Sequence, residues 1–356
     1  MLSDKEIQRY DRQMILPSFG KEKQEKLKAA AVLVIGAGGL GCPALQYLAA
    51  AGIGRIGIVD GDRIEASNLH RQILYNDADL GENKAAKAAE KISRINPFVK
   101  TDIYAEHLTT ENALEIISGY DIILDGTDNF PTRYLINDAC VILGKANVFA
   151  SISEFSAQIA IFNCAKGAQR GVNYRDLYPN PPLPGEVPSC AEAGVIGALP
   201  GIAGTAQAME CIKLITGIGT PLIDKLWIFD ALNNASTLIE LSLDPTQAPI
   251  NTLINYQMFC GQEHDVVEIS CADFKISTQH FELIDVRTPD KHALKNIGGI
   301  NIPLENLQER LKDLDPSKHY VLYCSSGNKS KTASEVLLKN GFNNVLSLKG
   351  GVNNFD

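Results

Sequence analysis

Two stretches of this chain carry side chains of the kind that do chemistry. Toward the C-terminus, YCSSGNKSK (323–331) puts Cys324 at the head of a loop of small, polar and cationic residues. Successive backbone N–H groups in such a loop can surround an anion, and Asn328, Lys329 and Ser330 would add donors. A nest of that kind favours a thiolate and would stabilise the terminal sulfur of a persulfide. A cysteine phosphatase is the rival reading. It needs a closing arginine, C-x5-R, to clamp phosphate with two parallel hydrogen bonds, and the residue at that position is Ser330. Sulfur transfer is the chemistry this loop fits.

Nearer the N-terminus, Gly36, Gly38 and Gly41, with Gly39 among them, make G-x-G-x-x-G after an apolar run and before a helical stretch. That context lets backbone N–H groups and a helix N-terminus approach phosphate. Asp60 ends the next apolar run, placed to accept from ribose hydroxyls, which suits a nicotinamide dinucleotide as well as ATP. DGDRIEASNLHRQ (60–72) then brings Asn68, Arg71 and Gln72 close together, and Lys84 opens the following helix. Cations here would cradle a triphosphate, whereas the glycine turn already serves the two phosphates of a dinucleotide. Asp128, in DGTDN, follows a strand's C-terminal end, where a carboxylate suits Mg²⁺ bridging phosphate oxygens.

RYDRQMILPSFG, GAGGLG, DGDRIEASNLHRQ, INP, DGTDN and CAEAGV stand in this order in the N-terminal part of the chain. Together they resemble the E1-like adenylyltransferases of the MoeB/ThiF type. LIDVRTP, INIPL, YCSSGNKS and LKGGVNNF, farther on, resemble a rhodanese domain. The resemblance implies an enzyme in which ATP adenylates the C-terminal glycine of a ubiquitin-like sulfur carrier ending in Gly-Gly. It assigns Asp60 to the ribose, Arg71 and Lys84 to the phosphates and Asp128 to Mg²⁺, with Asn68 and Gln72 beside them. Arg12 resembles an arginine that reaches the nucleotide from a partner subunit, which implies a homodimer. Cys190, heading CAEAGV, would take part in thioester or persulfide-derived disulfide chemistry. Cys324 would carry the sulfur, with a cysteine desulfurase or another donor supplying it, while Asp285 and Arg287 buttress their domain. The expected product is a thiocarboxylate for molybdopterin synthesis, with thiazole synthesis and tRNA thiolation as alternative uses.

The family often has two C-x-x-C pairs that bind structural zinc. This chain has Asn173 and Asp176 at the first and Gln247 and Ile250 at the second, so no zinc site is expected.

The elements that must position these groups are legible as alternation. AAAVLVIGAG and RIGIVDGD bracket a helical stretch in a βαβ unit, DIILDGTDN and NVFASIS add strands, and NKAAKAAEKISRI and TAQAMECIKLITG read as helices. The expected fold class is α/β: a Rossmann-like ATP-binding adenylyltransferase domain (1–248), a linker (249–265) and a small α/β rhodanese-like domain (266–356). KGAQRGVNYRDLYPNPPLPGEVP has no period and reads as a long loop.

The formal net charge of −9, without a dense Lys/Arg run, argues against nucleic-acid binding. The N-terminus has no apolar signal region, and the uncharged run 29–54 has glycines at its middle, so a cytoplasmic protein without membrane spans is expected. Eight cysteines without a C-x-x-C pair suggest neither a disulfide framework nor a zinc ribbon. Two readings from other classes stand beside the enzyme: an NAD-dependent oxidoreductase sharing the glycine turn, and a non-catalytic adaptor that docks a carrier.

Overall fold

The sequence AVLVI of β1 (Ala31–Ile35) is buried at every position. A strand apolar on both faces belongs in a parallel sheet covered on both sides. In the computed structural model, which describes residues 1–165, 167, 169–182, 194–261, 266–277 and 281–355, that is where β1 lies. It pairs in parallel with β2 (Arg55–Val59) on one side and β4 (Ile122–Asp125) on the other. β3 (Lys100–Tyr104) and β5 (Ala146–Ser153) extend the parallel set. β6 (Ser156–Phe162), β7 (Lys225–Asp230) and β8 (Ala235–Glu240) continue it in antiparallel pairing, giving eight strands in the order β3-β2-β1-β4-β5-β6-β7-β8.

The helices of this unit are α1 (Asp4–Met14), α2 (Gly20–Ala29), α3 (Gly41–Ala51), α4 (Lys84–Ile95), α5 (Ala113–Ser118), α6 (Phe130–Leu143), α7 (Tyr174–Leu177) and α8 (Ala198–Thr216). The apolar run 29–54 is thus a strand, a glycine turn and a helix, and among the described residues no helix is long and apolar enough to cross a membrane. α8 lies close against the start of α3 because Gly204 has no side chain: a Cβ there would stand 2.1 Å from the Leu40 carbonyl oxygen. Gln207, buried on the same helix, ties it to the sheet by donating to the carbonyls of Asp125 (2.7 Å) and Val148 (2.9 Å).

The chain divides into two compact units, Met1–Tyr256 and Gln257–Asp356. In the second, β9 (Val267–Ile269), β10 (Glu282–Asp285), β11 (Ile300–Asn301), β12 (Tyr320–Tyr323) and β13 (Val345–Leu348) form a parallel sheet in the order β11-β10-β12-β13-β9. Its helices are α9 (Cys271–Ile276), α10 (Pro289–Leu294), α11 (Leu307–Arg310) and α12 (Asn328–Lys339). The unit has a core of its own around Ile284, Leu322, Ala333 and Leu337.

α1 is held at its start by a capping box in which Ser3 and Glu6 satisfy each other's backbone N–H groups. Lys28 reaches the same Glu6 carboxylate at 2.7 Å. Burial opposes ionisation of Glu6, but the bonds from Lys28 and Ser3 outweigh it and lower its pKa from 4.5 to about 2. A carboxylate depressed in the folded state contributes stability that is complete above the unfolded value and lost as pH falls through the folded one. Glu6→Gln should therefore melt below wild type near neutral pH, and the difference should shrink between pH 4.5 and about 2; thermal melts across that window check this.

Candidate functional site

The glycine turn leaves β1 at its C-terminal end, beside the turn that leaves β4. Gly36 has φ +90°, and a Cβ on it would lie 2.7 Å from the Gly126 carbonyl oxygen; one on Gly41 would lie 1.9 Å from the Gly36 carbonyl oxygen. Only glycines let the two turns meet backbone to backbone. Around Gly38 the space is open except for the Gln72 side-chain amide, 3.5 Å from where a Cβ would stand. Gly39 lies under the Arg71 side chain, whose Cδ is 3.6 Å from its ideal Cβ position. Gln72 is buried and its Oε1 has no hydrogen-bond partner among the described residues. The amide nitrogen of Gln72 is the atom that faces the open glycine turn, a donor placed where a polar ligand would complete the wall.

Asp60 closes the other side. Its Oδ2 accepts from the Ala37 N–H (2.8 Å) and its Oδ1 from the Asp62 N–H (2.9 Å), leaving a lone pair on each oxygen for a hydroxyl donor. Burial pushes its pKa up, against those two bonds and the nearby Lys84. Lys84, first residue of α4, is buried and pairs through Nζ with Asp62 Oδ2 at 3.0 Å. Asn83 caps α4 and donates to the Asp60 carbonyl (3.0 Å), while the Tyr75 hydroxyl joins Ala37 and Lys84 through their carbonyls (2.9 and 3.1 Å). Asn68 begins the turn that carries Arg71 and Gln72, whose N–H groups both donate to its carbonyl (3.0 and 2.9 Å). Asp128 follows the Gly126 turn and is exposed. Gly36, Gly38, Gly39, Gly41, Asp60, Asn68, Arg71, Gln72, Lys84 and Asp128 therefore gather at one edge of the sheet.

Two of the residues singled out by sequence are not in that gathering. Arg12 is exposed on α1, and α1 docks at the opposite end of α3: Gln13 donates to the Ala51 carbonyl (2.9 Å), and the Tyr10 ring lies 2.6 Å from an ideal Cβ on Gly52. α3 has 11 residues, so its two ends are about 16 Å apart. Cys190 lies outside the described residues.

The second unit presents Cys324 directly after β12. The thiol is buried, 2% exposed, and its Sγ accepts from the Gly327 N–H at 3.2 Å. Gly351 packs against the loop so closely that a Cβ would stand 2.2 Å from the Cys324 carbonyl oxygen. Val352 and Asn353 donate their N–H groups to the carbonyls of Cys324 (2.8 Å) and Ser325 (3.1 Å). Asn328 and Lys329 are exposed at the loop and open α12. Ser330 is turned inward: its hydroxyl donates to the Gly327 carbonyl and accepts from Ser347, both at 2.9 Å, so it braces the loop and does not add a donor to it. Asp285 and Arg287 form a buried pair that His292 joins at 2.9 Å. Hydrogen bonds from Arg287 and His292 overcome burial and keep the Asp285 carboxyl below the usual range.

The unpatterned segment after β6 contains order that no period announced. Asn173 caps α7, and Tyr174 packs on Tyr134, Phe149 and Tyr178 with ring centroids 5.0–5.3 Å apart. The positions 173 and 247 face each other, their amides bonded both ways at 3.3 and 3.4 Å. Arg170 grips both Asp176 oxygens (2.6 and 2.7 Å) and reaches Gln247 Oε1 (3.1 Å), and the Asp244 N–H donates to Asp176 (2.8 Å). A polar clasp thus joins the 170–176 and 244–247 segments. Next to it, Arg175 holds the Asp138 carboxylate with two bonds of 2.8 Å, and the Tyr256 hydroxyl adds a third at 2.8 Å. Among the described residues no cluster of His, Cys, Asp and Glu is arranged to hold a metal.

A family model described as the ThiF family matches residues 10–250, and one described as a rhodanese-like domain matches residues 272–356. The chain is 43% identical to a probable adenylyltransferase/sulfurtransferase MoeZ of Mycobacterium tuberculosis, covering 99% of this chain and 93% of that protein. It is 50% identical to a sulfur carrier protein adenylyltransferase of Thermus thermophilus over 72% of this chain and 97% of that protein. The crystal structure of E. coli MccB with MccA-N7isoASN shares the fold, with TM-score 0.61 and 22% identity over 70% of this chain and 76% of that one.

Asp176 has a fully buried side chain, so removing its partner strands a charge. Arg170→Ala should destabilise the first unit by about 1–3 kcal/mol, and Arg170→Lys, which cannot grip both oxygens, should recover only part of it. Urea melts followed by the Trp227 fluorescence of β7 measure both.

Proposed function

We propose, from the premise that the chain belongs to the ThiF family and ends in a rhodanese-like domain, how its two units divide one reaction. The protein is an adenylyltransferase with a sulfurtransferase domain, and it uses ATP. Its partner is a ubiquitin-like sulfur carrier ending in Gly-Gly, and the use is molybdopterin synthesis. The carrier's terminal carboxylate oxygen bonds to the α-phosphorus as the bond to pyrophosphate breaks. An ionised carboxylate needs no general base, so positioned charge supplies the catalysis.

Arg71 and Lys84 neutralise phosphate charge, the glycine turn offers its N–H groups, and Asp60 takes the ribose hydroxyls. Gln72 offers its side-chain amide N–H beside the glycine turn to the bound nucleotide, and Asn68 fixes the turn that carries Arg71 and Gln72. Asp128 is the residue for Mg²⁺, which supplies neutralisation of phosphate charge when bound; an exposed carboxylate at this edge fits that role. Arg12 serves the site of a second copy, since its own helix docks far from the glycine turn.

Cys324 holds the sulfur as a persulfide, with a cysteine desulfurase or similar donor supplying it. The terminal sulfur bonds to the acyl carbon and AMP leaves. Freeing the thiocarboxylate then requires a second thiol to cut the remaining S–S bond and take Cys324 into a disulfide, the role assigned to Cys190. No zinc is required, because amides and an ion pair already join the segments that a metal would join. The observation that carries the proposal is the convergence of Asp60, Lys84, Arg71, Gln72 and the glycines on one sheet edge, in a chain whose other unit presents Cys324 in a loop with the Gly327 N–H on its sulfur.

Carrier-dependent ATP–pyrophosphate exchange tests the adenylation half. Asp128→Ala should lower it by 100-fold or more, on the scale of losing one charge-stabilising group; wild-type exchange independent of any Gly-Gly carrier would refute the assignment. Cys324→Ala should keep exchange and abolish thiocarboxylate formation, read by mass spectrometry of the carrier; equal loss of both would sink the division of labour. Incubation with EDTA should leave the melting temperature of the protein as purified unchanged, and a lowered value would restore a structural metal.

A further inference from the structure

The DGTDN turn rests on a buried charge that the reaction as described does not use. Asp125 ends β4 fully buried; its Oδ1 accepts from the N–H (2.9 Å) and the hydroxyl (2.6 Å) of Thr127. Arg133, in the first turns of α6, is 8% exposed and donates through Nη2 to the Thr127 carbonyl at 3.3 Å. Its guanidinium carbon lies 5.5 Å from the Phe130 ring centroid and 5.2 Å from that of Phe149. Thr127 is thus fixed through its N–H, its hydroxyl and its carbonyl, and the next residue is Asp128.

This arrangement is expensive as mere packing. The Arg133 Nε and the Asp125 Oδ2 are both buried without a hydrogen-bond partner among the described residues. Apolar residues of similar volume commonly replace a buried, imperfectly bonded pair without loss of stability. What the pair does accomplish is geometric. A planar guanidinium wedged between two rings cannot swing as a lysine ammonium can, and the Asp125 carbonyl is itself held by Gln207 at 2.7 Å. Among the described residues the exposed Asp128 side chain makes no hydrogen bond or ion pair and feels Arg133 only through space, so its direction comes from the turn beneath.

We propose that Arg133 is a positioning residue for adenylation: with Asp125 it locks Thr127 and thereby aims Asp128 at the nucleotide site. The proposal rests on the adenylation reading and adds to it residues outside the assigned set. Misplacing a reacting group by about 1 Å can cost 100-fold in rate.

The test compares full-length wild type, Arg133→Lys and Thr127→Val in carrier-dependent pyrophosphate exchange, with ATP affinity measured separately by calorimetry. Arg133→Lys keeps the charge and Thr127→Val removes only the hydroxyl. Both should lower the kcat of exchange, Arg133→Lys by roughly 10- to 100-fold and Thr127→Val by less. ATP affinity and the carrier KM should stay within about twofold, on the view that positioning acts after binding. A folded Arg133→Lys with wild-type kcat overturns the proposal, as does a loss that only tracks the unfolded fraction in a melt at the assay temperature. Should Arg133→Lys fail to fold, unchanged kcat in Thr127→Val overturns it instead. Wild-type protein without exchange would bring down the adenylation reading and this proposal with it, whereas active wild type with unaffected variants brings down this proposal alone.

Discussion

The first unit depends on one contact without side chains: the glycine turn after β1 touching the turn after β4. A Cβ at Gly36 would collide with the Gly126 carbonyl, and one at Gly126 would stand 2.9 Å from the Gly36 carbonyl oxygen. Because both turns are glycine at the point of contact, two neighbouring parallel strands can end at the same height and turn outward together. Ligands of open α/β sheets bind at such a strand-end crevice. The glycine turn after β1 and Asp128 on the turn after β4 are brought within one edge by this constraint. The 60–84 segment then wraps around it through the bonds among Asp60, Ala37, Asn83 and Lys84.

The second unit solves a different problem with the same means. The proposed role of Cys324, to hold and surrender sulfur, needs a donor beside the thiol and a buried position. In the Cys324 loop the Gly327 N–H points at the thiol, while the carbonyls of Cys324 and Ser325 are taken up by Val352 and Asn353 behind it. Close approach of the Gly351 backbone makes that backing possible. Ser330 and Ser347 add a hydroxyl brace under the loop. The loop is therefore held in place from the far side, with the Gly327 N–H left on the thiol.

Polar networks occupy the places where the first unit has least regular structure. The clasp of Arg170, Asp176, Asn173 and Gln247 joins two segments far apart in sequence, and Asp138 anchors Arg175 and Tyr256 beside it. The four residues form a closed ring of hydrogen bonds across the junction, each bonded to two of the others through side chain or backbone. The 170–177 stretch lacks apolar period since its order comes from these bonds and from a single ring, Tyr174, packed on Tyr134 and on Phe149 of β5, not from a repeating apolar face.

The sequence by itself determined the fold class, the two-part organisation, the glycine turn and the residues that gather around it. Those features depend on local chemistry: apolar alternation, glycine where backbone must approach backbone, and motifs whose members lie close along the chain. Asp62 as the partner of Lys84 stood within the same DGDR stretch, and Arg133 lay one turn past DGTDN, yet spacing alone did not distinguish them from surface charges. Tertiary structure decided that Arg133 and Asp125 are buried, that Ser330 faces inward, that residues 173 and 247 meet, and that Arg12 sits at the far end of α3. These facts depend on which elements pack together across long stretches of chain. A side chain's burial and partners are properties of that packing, and no local pattern encodes them.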